Sequence, residues 1–205
     1  WSRNTQHLYY SMLDPRAQSL IDVTQISNGG GHRAWHPDID IDGDDRIHIV
    51  WANKASQHEI LYTLLDPSLD DQDGSTADDS TISIIDDTEV TRRQQNRDWP
   101  AIAVDSQNNA HIVWEDSYDR HDKYFQQPQI YYKFLEIDEA SREAITAIDS
   151  TLLTPIIGHK GHPDIAIDAD DLVQIAWDDT RGGKVEIVSP IDTSGSMYSE
   201  WADMC

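Results

Sequence analysis

Three short segments of this chain carry rings and carboxylates at the same relative positions. They read HPDIDIDGDDRIHIVWAN, WPAIAVDSQNNAHIVWED and HPDIAIDADDLVQIAWDD. The segments begin at His36, Trp99 and His162, 63 residues apart, and align over eighteen positions without a gap. Imidazole and indole rings beside cations suit a sugar or a carboxylate ligand. These three residues, with Arg33 and Arg97 nearby, are therefore the first candidate ligand-binding site, and packing between repeats is the alternative.

The first segment also contains a candidate metal loop. Its possible ligands are Asp40, Asp42, Asp44 and Asp45. Carboxylate oxygens at alternate positions around the flexible Gly43 suit Ca²⁺, and the loop resembles the calcium loops of integrin-type repeats. The alternative is a hairpin turn, because Asp and Gly are strong turn formers.

A second candidate metal motif lies near the end of the sequence. Asp192, Ser194 and Ser196 match D-x-S-x-S, which resembles the metal-dependent adhesion motif of a von Willebrand A domain. That resemblance implies Mg²⁺ binding by these three side chains. The alternative is a hairpin, because Pro190 would remove a backbone donor from a strand that must be central in such a domain.

Paired carboxylates follow the tryptophan of two segments. They are Glu115 with Asp116 and Asp178 with Asp179. Two neighbouring carboxyl groups can perform acid–base chemistry on glycosidic bonds. The alternative is that they are solvated, or bonded to the next turn, at the end of a strand.

Two histidines occupy equivalent positions inside the repeated segments. His48 and His111 are replaced by Gln174 in the third segment. Glutamine shares hydrogen bonding with histidine but is a poor ligand for transition metals. The exchange therefore predicts a hydrogen-bonding, structural role.

The elements that position these side chains are predicted to be β-strands. Ile39 and Ile41 alternate with aspartates, a polar turn follows, and the alternation resumes through Ile47, Ile49 and Trp51, which is the pattern of a hairpin. Further strands are predicted over residues 60–65, 82–90, 130–135 and 145–153, and residues 8–13 and 20–27 resemble the last strands of an earlier copy.

Four strands per repeat predict a β-propeller, or part of one, built from four-stranded antiparallel blades. Packing such sheets face to face around an axis buries the apolar faces that one sheet leaves open. The whole chain is then a single region of about three to four blades, at approximately 1–35, 36–98, 99–161 and 162–205. Propellers close with about 4–8 blades, so we expect part of a larger propeller with further blades. The alternatives are a four-bladed ring that lacks one strand and self-association of chains to close a ring.

The repeat resembles bacterial and archaeal extracellular propeller repeats of the sialidase-like, BNR-like superfamily. The residues that carry the resemblance are the P-[DA]-I-[DA]-[IV]-D stretch, the [HQ]-I-[VA]-W stretch and the aromatic segment at 130–132. The resemblance implies a secreted or cell-surface protein. It leaves function open, because such scaffolds carry lectins, adhesins, enzymes and spacers. The sialidase Asp-box pattern S-x-D-x-G-x-T-W does not occur in the sequence.

Composition excludes several classes of partner. The chain has 38 acidic against 15 basic residues and a net charge of -23, which disfavours binding to nucleic acid or to anionic membranes. No apolar run is long enough to insert into a membrane. The single cysteine, Cys205, cannot form an intramolecular disulfide. Because the sequence starts at Trp1, we expect a fragment or a processed product.

The leading prediction is a non-catalytic, extracellular or cell-surface recognition or structural module. Its predicted partner is a carbohydrate or a protein surface, and its predicted ion is Ca²⁺. One alternative is a sialidase-like glycoside hydrolase with part of its site outside this chain. The other is a metal-dependent adhesin that uses the motif at 192–196.

Overall fold

A computed structural model describes residues 6–27, 33–54, 58–69, 82–91, 96–117, 128–138, 140–154 and 158–180. Their regular structure is β-strand, apart from one short 3₁₀ turn at Pro67–Leu69. The strands are β1 (Tyr9–Leu13), β2 (Ser19–Gln25), β3 (Ala34–Ile41), β4 (Ile47–Asn53), β5 (Glu59–Leu65), β6 (Ser83–Glu89), β7 (Asn96–Val104), β8 (Ala110–Ser117), β9 (Gln129–Asp138), β10 (Glu143–Leu152), β11 (Lys160–Ile167) and β12 (Val173–Asp179). Over these ranges no helix has the length and apolar character needed to cross a membrane.

The strands form four antiparallel sheets in chain order. The first sheet pairs β1 with β2, the second has the order β3-β4-β5-β6, the third β7-β8-β9-β10, and the fourth pairs β11 with β12. The predicted all-β class with four-stranded antiparallel sheets is therefore confirmed. The described residues do not include a closed ring of sheets.

The aspartate that ends each first strand builds the hairpin turn. The Asp42 carboxylate accepts the backbone N–H groups of Asp44 and Arg46, both at 2.9 Å. Asp105 and Asp168 accept the equivalent pairs of N–H groups in the next two turns. A short side chain with an acceptor oxygen can reach the N–H groups two and four residues later in the turn, and this geometry favours aspartate at that position. The recurrence of this aspartate in the sequence is thus explained by the turn.

Apolar faces of neighbouring sheets pack against each other. The repeated tryptophans Trp51, Trp114 and Trp177 are 0%, 1% and 5% exposed, and each lies in a separate apolar cluster. The clusters join the first sheet to the second, the second to the third, and the third to the fourth. Since one four-stranded sheet has two faces, this stacking buries both faces of the middle sheets.

His48 and His111 belong to buried hydrogen-bond networks, which confirms their predicted structural role. His48 donates from Nε2 to Asp42 at 3.2 Å and accepts the Tyr62 hydroxyl at Nδ1, at 2.9 Å. His111 makes the equivalent contacts in the third sheet with Asp105 and with Tyr132. Burial lowers the pKa of both imidazoles, so each serves as a neutral bridge between strands.

Carboxylates of β3 tie the second sheet to the third. Asp38 Oδ2 accepts the Ile102 N–H at 2.9 Å, and Asp40 Oδ2 accepts the Val104 N–H at 2.7 Å. These bonds join β3 directly to β7, and β7 in turn lies beside β11. The first strands of three sheets therefore run side by side along one groove.

Candidate functional site

The three residues before the repeated proline share an unusual backbone conformation. His36, Trp99 and His162 have φ values of 46°, 48° and 48°. Each lies where the pairing register of its first strand shifts, which marks a β-bulge. Left-handed backbone at a bulky residue costs free energy, and bulges re-aim side chains, so both features point to a site.

The bulges bring the three rings into one row across three sheets. His36 stacks on Trp99 with ring centroids 3.6 Å apart, and Trp99 meets the edge of His162 at 4.5 Å. Packing between repeats is therefore part of their role. Trp99 nevertheless keeps 38% of its surface exposed, which is unusual for a residue of this size.

Two open cavities lie along these strands, and two of the rings line the smaller one. The larger, of about 380 Å³, is lined along the three first strands by Asp38, Ile39, Asp40, Ile102, Ala103, Val104, Asp164, Ile165, Ala166 and Ile167. The second, of about 330 Å³, is lined by His36, Pro37, Asp38, Trp99, Pro100, Ala101, Pro163 and Asp164. Both volumes reach the lower end of the range of small-molecule sites. Asp38 and Asp164 are the two carboxyl groups common to both linings.

The environment of Asp38 favours the protonated form of its carboxyl group more than water does. Burial raises the pKa of the Asp38 carboxyl, hydrogen bonds from the Ile102 and Ile39 N–H groups oppose that rise, and the charges of Asp164 and Asp40 add to it. The net result is a pKa above the usual value of aspartate. A carboxyl group that stays protonated to higher pH beside another carboxylate is the arrangement that separates acid from base.

Asp98 and Lys54 form a pair of charged side chains that holds the imidazole of His36. The His36 Nδ1–H donates to Asp98 Oδ1 at 2.7 Å, and the Lys54 ammonium bonds the other Asp98 oxygen. Burial raises the pKa of Asp98, but the hydrogen bonds from Lys54 and His36 outweigh it and keep the pKa below the usual value. Asp98 is therefore an ionised carboxylate held by two donors.

Glu115 lies at the junction of the third and fourth sheets. Burial raises the pKa of its carboxyl group, the charge of His159 opposes that rise, and the charge of Asp98 adds to it. The position opposite Glu115 is Gly161, where an added Cβ would come within 2.9 Å of Glu115 Oε2. Glu115 lines neither cavity.

The predicted cationic part of the ligand site lies elsewhere. Arg97 is 7% exposed, and its Nε donates to Asp116 Oδ2 at 2.9 Å. Lys160, at the equivalent position one repeat later, pairs with Asp179 at 3.0 Å. Arg33 is half-buried and also lines neither cavity. The pairing of Arg97 with Asp116 supplies the physical reason why this cation serves the fold, since a buried charge needs a partner.

In the structure, three of the candidate calcium ligands accept hydrogen bonds from other groups of the protein. Asp42 Oδ2 accepts Arg46 Nε at 2.7 Å, and Asp44 accepts from the same guanidinium at 3.1 Å. Asp40 bonds the neighbouring sheet, and Asp45 has a left-handed φ of 62°. Within the part of the chain that the structure describes, no group of three His, Cys, Asp or Glu side chains could hold a metal ion. Calcium at this loop stays a prediction.

The magnesium motif cannot be compared with the structure. Asp192, Ser194 and Ser196 lie outside the described residues. The adhesin interpretation that rests on them stays a prediction.

Sequence reasoning missed Asp38 and Asp164, which line the smaller cavity together with two of the rings, and Asp98, which bonds His36. Asp38 and Asp164 directly follow the repeated proline, and Asp98 directly precedes Trp99. A signal was present, because these aspartates flank the strained positions on the same strands. This signal was difficult to recognise because aspartate is also the turn-forming residue of every repeat.

Together these features define an all-β protein with a carboxylate-bearing groove beside a row of rings. No protein-family model matches the sequence, and no curated protein matches it. Among solved structures, the fold is similar to the crystal structure of an endo-arabinase from Bacteroides thetaiotaomicron VPI-5482, with a TM-score of 0.50 and 13% sequence identity. The match covers 89% of this chain and 64% of that chain, so this chain spans less than two thirds of the matched structure.

The comparison corrects the leading functional prediction. A non-catalytic recognition or structural module was expected, and that expectation is wrong as the main interpretation, because the similar solved structure is a glycoside hydrolase. The hydrolase alternative is better supported. At 13% identity the likeness itself establishes only the fold. No family match supports the narrower assignment to sialidase-like repeats.

Proposed function

We propose that the chain acts as a glycoside hydrolase that cleaves a polysaccharide in the groove of the first strands. The proposal includes the propeller architecture, in which the four sheets are consecutive blades around an axis next to that groove. Two facts support it: the fold is similar to that of an endo-arabinase, and the groove holds a carboxyl pair. A linear arabinan is the first substrate to test.

The observation that carries the proposal is the position of Asp38 and Asp164. Both line both cavities, and the charge of Asp164 contributes to the raised pKa of Asp38. Glycosidases generally need one carboxyl group as acid and a second as carboxylate. The equivalent position in the intervening sheet is Ala101.

The chemistry divides between the two groups. Asp38 donates its proton to the glycosidic oxygen as the bond to the anomeric carbon breaks. Asp164 stabilises the positive charge on that carbon and takes a proton from the water that adds to it. Pro37, Pro100 and Pro163, with Trp99, form an apolar wall that suits the C–H faces of a sugar.

The raised pKa of Asp38 predicts the alkaline limb of the pH profile. The acid must be protonated to act, so kcat is expected to fall as pH rises through the raised pKa of this carboxyl group. Asp38→Asn should remove that limb from whatever activity remains. The measurement is kcat against pH for both proteins, and an identical limb in the variant would assign the acid to another residue.

A panel assay tests the function itself. The purified chain is incubated with linear arabinan, branched arabinan, xylan and galactan, and new reducing ends are quantified. We expect release from one polymer class, with linear arabinan first. No release from any polymer would contradict the proposed function.

A further inference from the structure

The Lys54–Asp98–His36 chain of contacts is not explained by the acid and base alone. His36 lines the smaller cavity, whereas Lys54 and Asp98 line neither cavity. His36 lies on β3, Lys54 directly follows β4 and Asp98 lies on β7, so the contacts join the second sheet to the third. Ordering two charged side chains around one imidazole costs conformational entropy, and packing of the ring alone does not require that arrangement.

The contacts fix the state of the imidazole. Because Asp98 is ionised, the hydrogen bond of 2.7 Å requires that His36 Nδ1 carries the proton. Lys54 neutralises Asp98, and its ammonium also lies 5.0 Å from the centre of the Trp35 ring. In the tautomer with the proton on Nδ1, Nε2 is the acceptor atom of the ring, and no hydrogen bond among the described residues uses it.

The ring plane is fixed as well. One face of His36 is stacked on Trp99 at 3.6 Å, with planes 15° apart. The backbone at His36 is held in a left-handed bulge before a proline. Plane, tautomer and position are therefore set before any ligand arrives, and such preorganisation reduces the entropy lost on binding.

We propose that Lys54 and Asp98 are positioning residues that present His36 Nε2 as an acceptor for a sugar hydroxyl in the smaller cavity. This inference rests on the proposed function and deepens it. His36 thereby selects a sugar with a hydroxyl group beside the bond that Asp38 and Asp164 cleave. A site that hydrogen-bonds a hydroxyl rejects analogues that lack it far more strongly than an apolar site does.

The decisive variant is His36→Asn. Asparagine tolerates left-handed backbone and can still bond Asp98 at short range, but it lacks the atom equivalent to Nε2. We expect KM for linear arabinan to rise about 10-fold, with kcat changed less than about 3-fold, because one neutral hydrogen bond to the ligand is lost. His58→Asn is the matched control, since His58 has φ 48° and lines neither cavity.

Lys54→Met tests the positioning role separately. Methionine keeps the apolar stem beside Trp35 but leaves Asp98 without its ammonium partner. We expect a rise in KM of about 3-fold to 10-fold and a change in the imidazole nitrogen resonances of His36, whereas an effect on packing alone would leave those resonances unchanged. Circular dichroism confirms that each variant is folded.

Nitrogen-15 NMR of the imidazole separates failure of this inference from failure of the proposed function. The expected spectrum has a protonated Nδ1 and a bare Nε2 at His36, and a linear arabino-oligosaccharide shifts the Nε2 resonance. A proton on Nε2, or KM values for His36→Asn equal to those for His58→Asn, would overturn the inference while cleavage continues. Absence of cleavage with a shifted Nε2 resonance would instead contradict only the hydrolase proposal.

Discussion

Replacing Asp38 with asparagine is expected to lower kcat on the cleaved polysaccharide by about 10²-fold to 10⁴-fold, the usual contribution of a positioned general acid. The amide oxygen can still accept the Ile102 N–H, so the link between β3 and β7 is kept. The loss is therefore chemical and should appear in kcat with little change in thermal stability. The measurement is steady-state kinetics with a melting curve for each protein.

The matched control for this variant is Asp170→Asn. Asp170 is an exposed aspartate in the turn of the fourth sheet and lines neither cavity. Asp170→Asn makes the same carboxyl-to-amide change at the surface, so the kcat of this variant should equal that of the native chain. Equal losses in the two variants would mean that general negative charge, and not the proton of Asp38, supports activity.

Asp42→Ala is expected to produce the largest loss of stability, about 3–5 kcal/mol in the free energy of unfolding. The Asp42 side chain is fully buried and accepts two backbone N–H groups, Arg46 Nε and His48 Nε2. Its removal leaves the guanidinium of Arg46 without its buried partner, and breaking a buried pair costs about that amount. Urea unfolding gives the measurement.

Asp168→Ala separates the turn from the buried pair. Asp168 is the equivalent turn residue in the fourth sheet and is exposed, and its carboxylate accepts the N–H groups of Asp170 and Leu172. Its loss should cost about 1 kcal/mol, as for an exposed cap. If both alanine variants lose equal stability, the turn and not the Arg46 network stabilises this position.

Low pH should weaken the same network. Burial raises the pKa of Asp42, but hydrogen bonds from Arg46, His48 and Asp44 outweigh it, so the folded pKa lies below the usual value. This contribution to stability is complete above the ordinary aspartate pKa of about 3.8–3.9 and is lost as pH falls through the folded pKa. Melting temperatures of native protein and Asp42→Ala should therefore converge in acid.

The sequence predicts the sheets well because the repeat shows both strand period and turn chemistry. Alternation of Ile39 and Ile41 with aspartate, followed by a turn at Asp42, indicates a hairpin without knowledge of its neighbours. The structure places β3 and β4 on those residues. Local physics is sufficient here, because pairing across a hairpin involves residues that are close in sequence.

The candidate site is harder to predict because its members meet only across sheets. His36 and Asp98 are 62 residues apart, and the link from Lys54 to Asp98 spans 44. The repeat predicts that His36, Trp99 and His162 are equivalent, but equivalence alone does not say that they touch. The sequence also does not show that Arg97, a cation near the ring position, is paired with Asp116 inside its own sheet.

The catalytic roles of Asp38 and Asp164 can be tested by proton NMR of linear arabinan during incubation with the native chain and with the Asp38→Asn, Asp164→Asn double variant. We expect new reducing-end anomeric signals with the native chain and none above background with a folded double variant. Equal signals from the two proteins, or no signals from either on any polymer of the panel, would contradict the assignment of Asp38 and Asp164 as the catalytic carboxyl pair of a glycoside hydrolase.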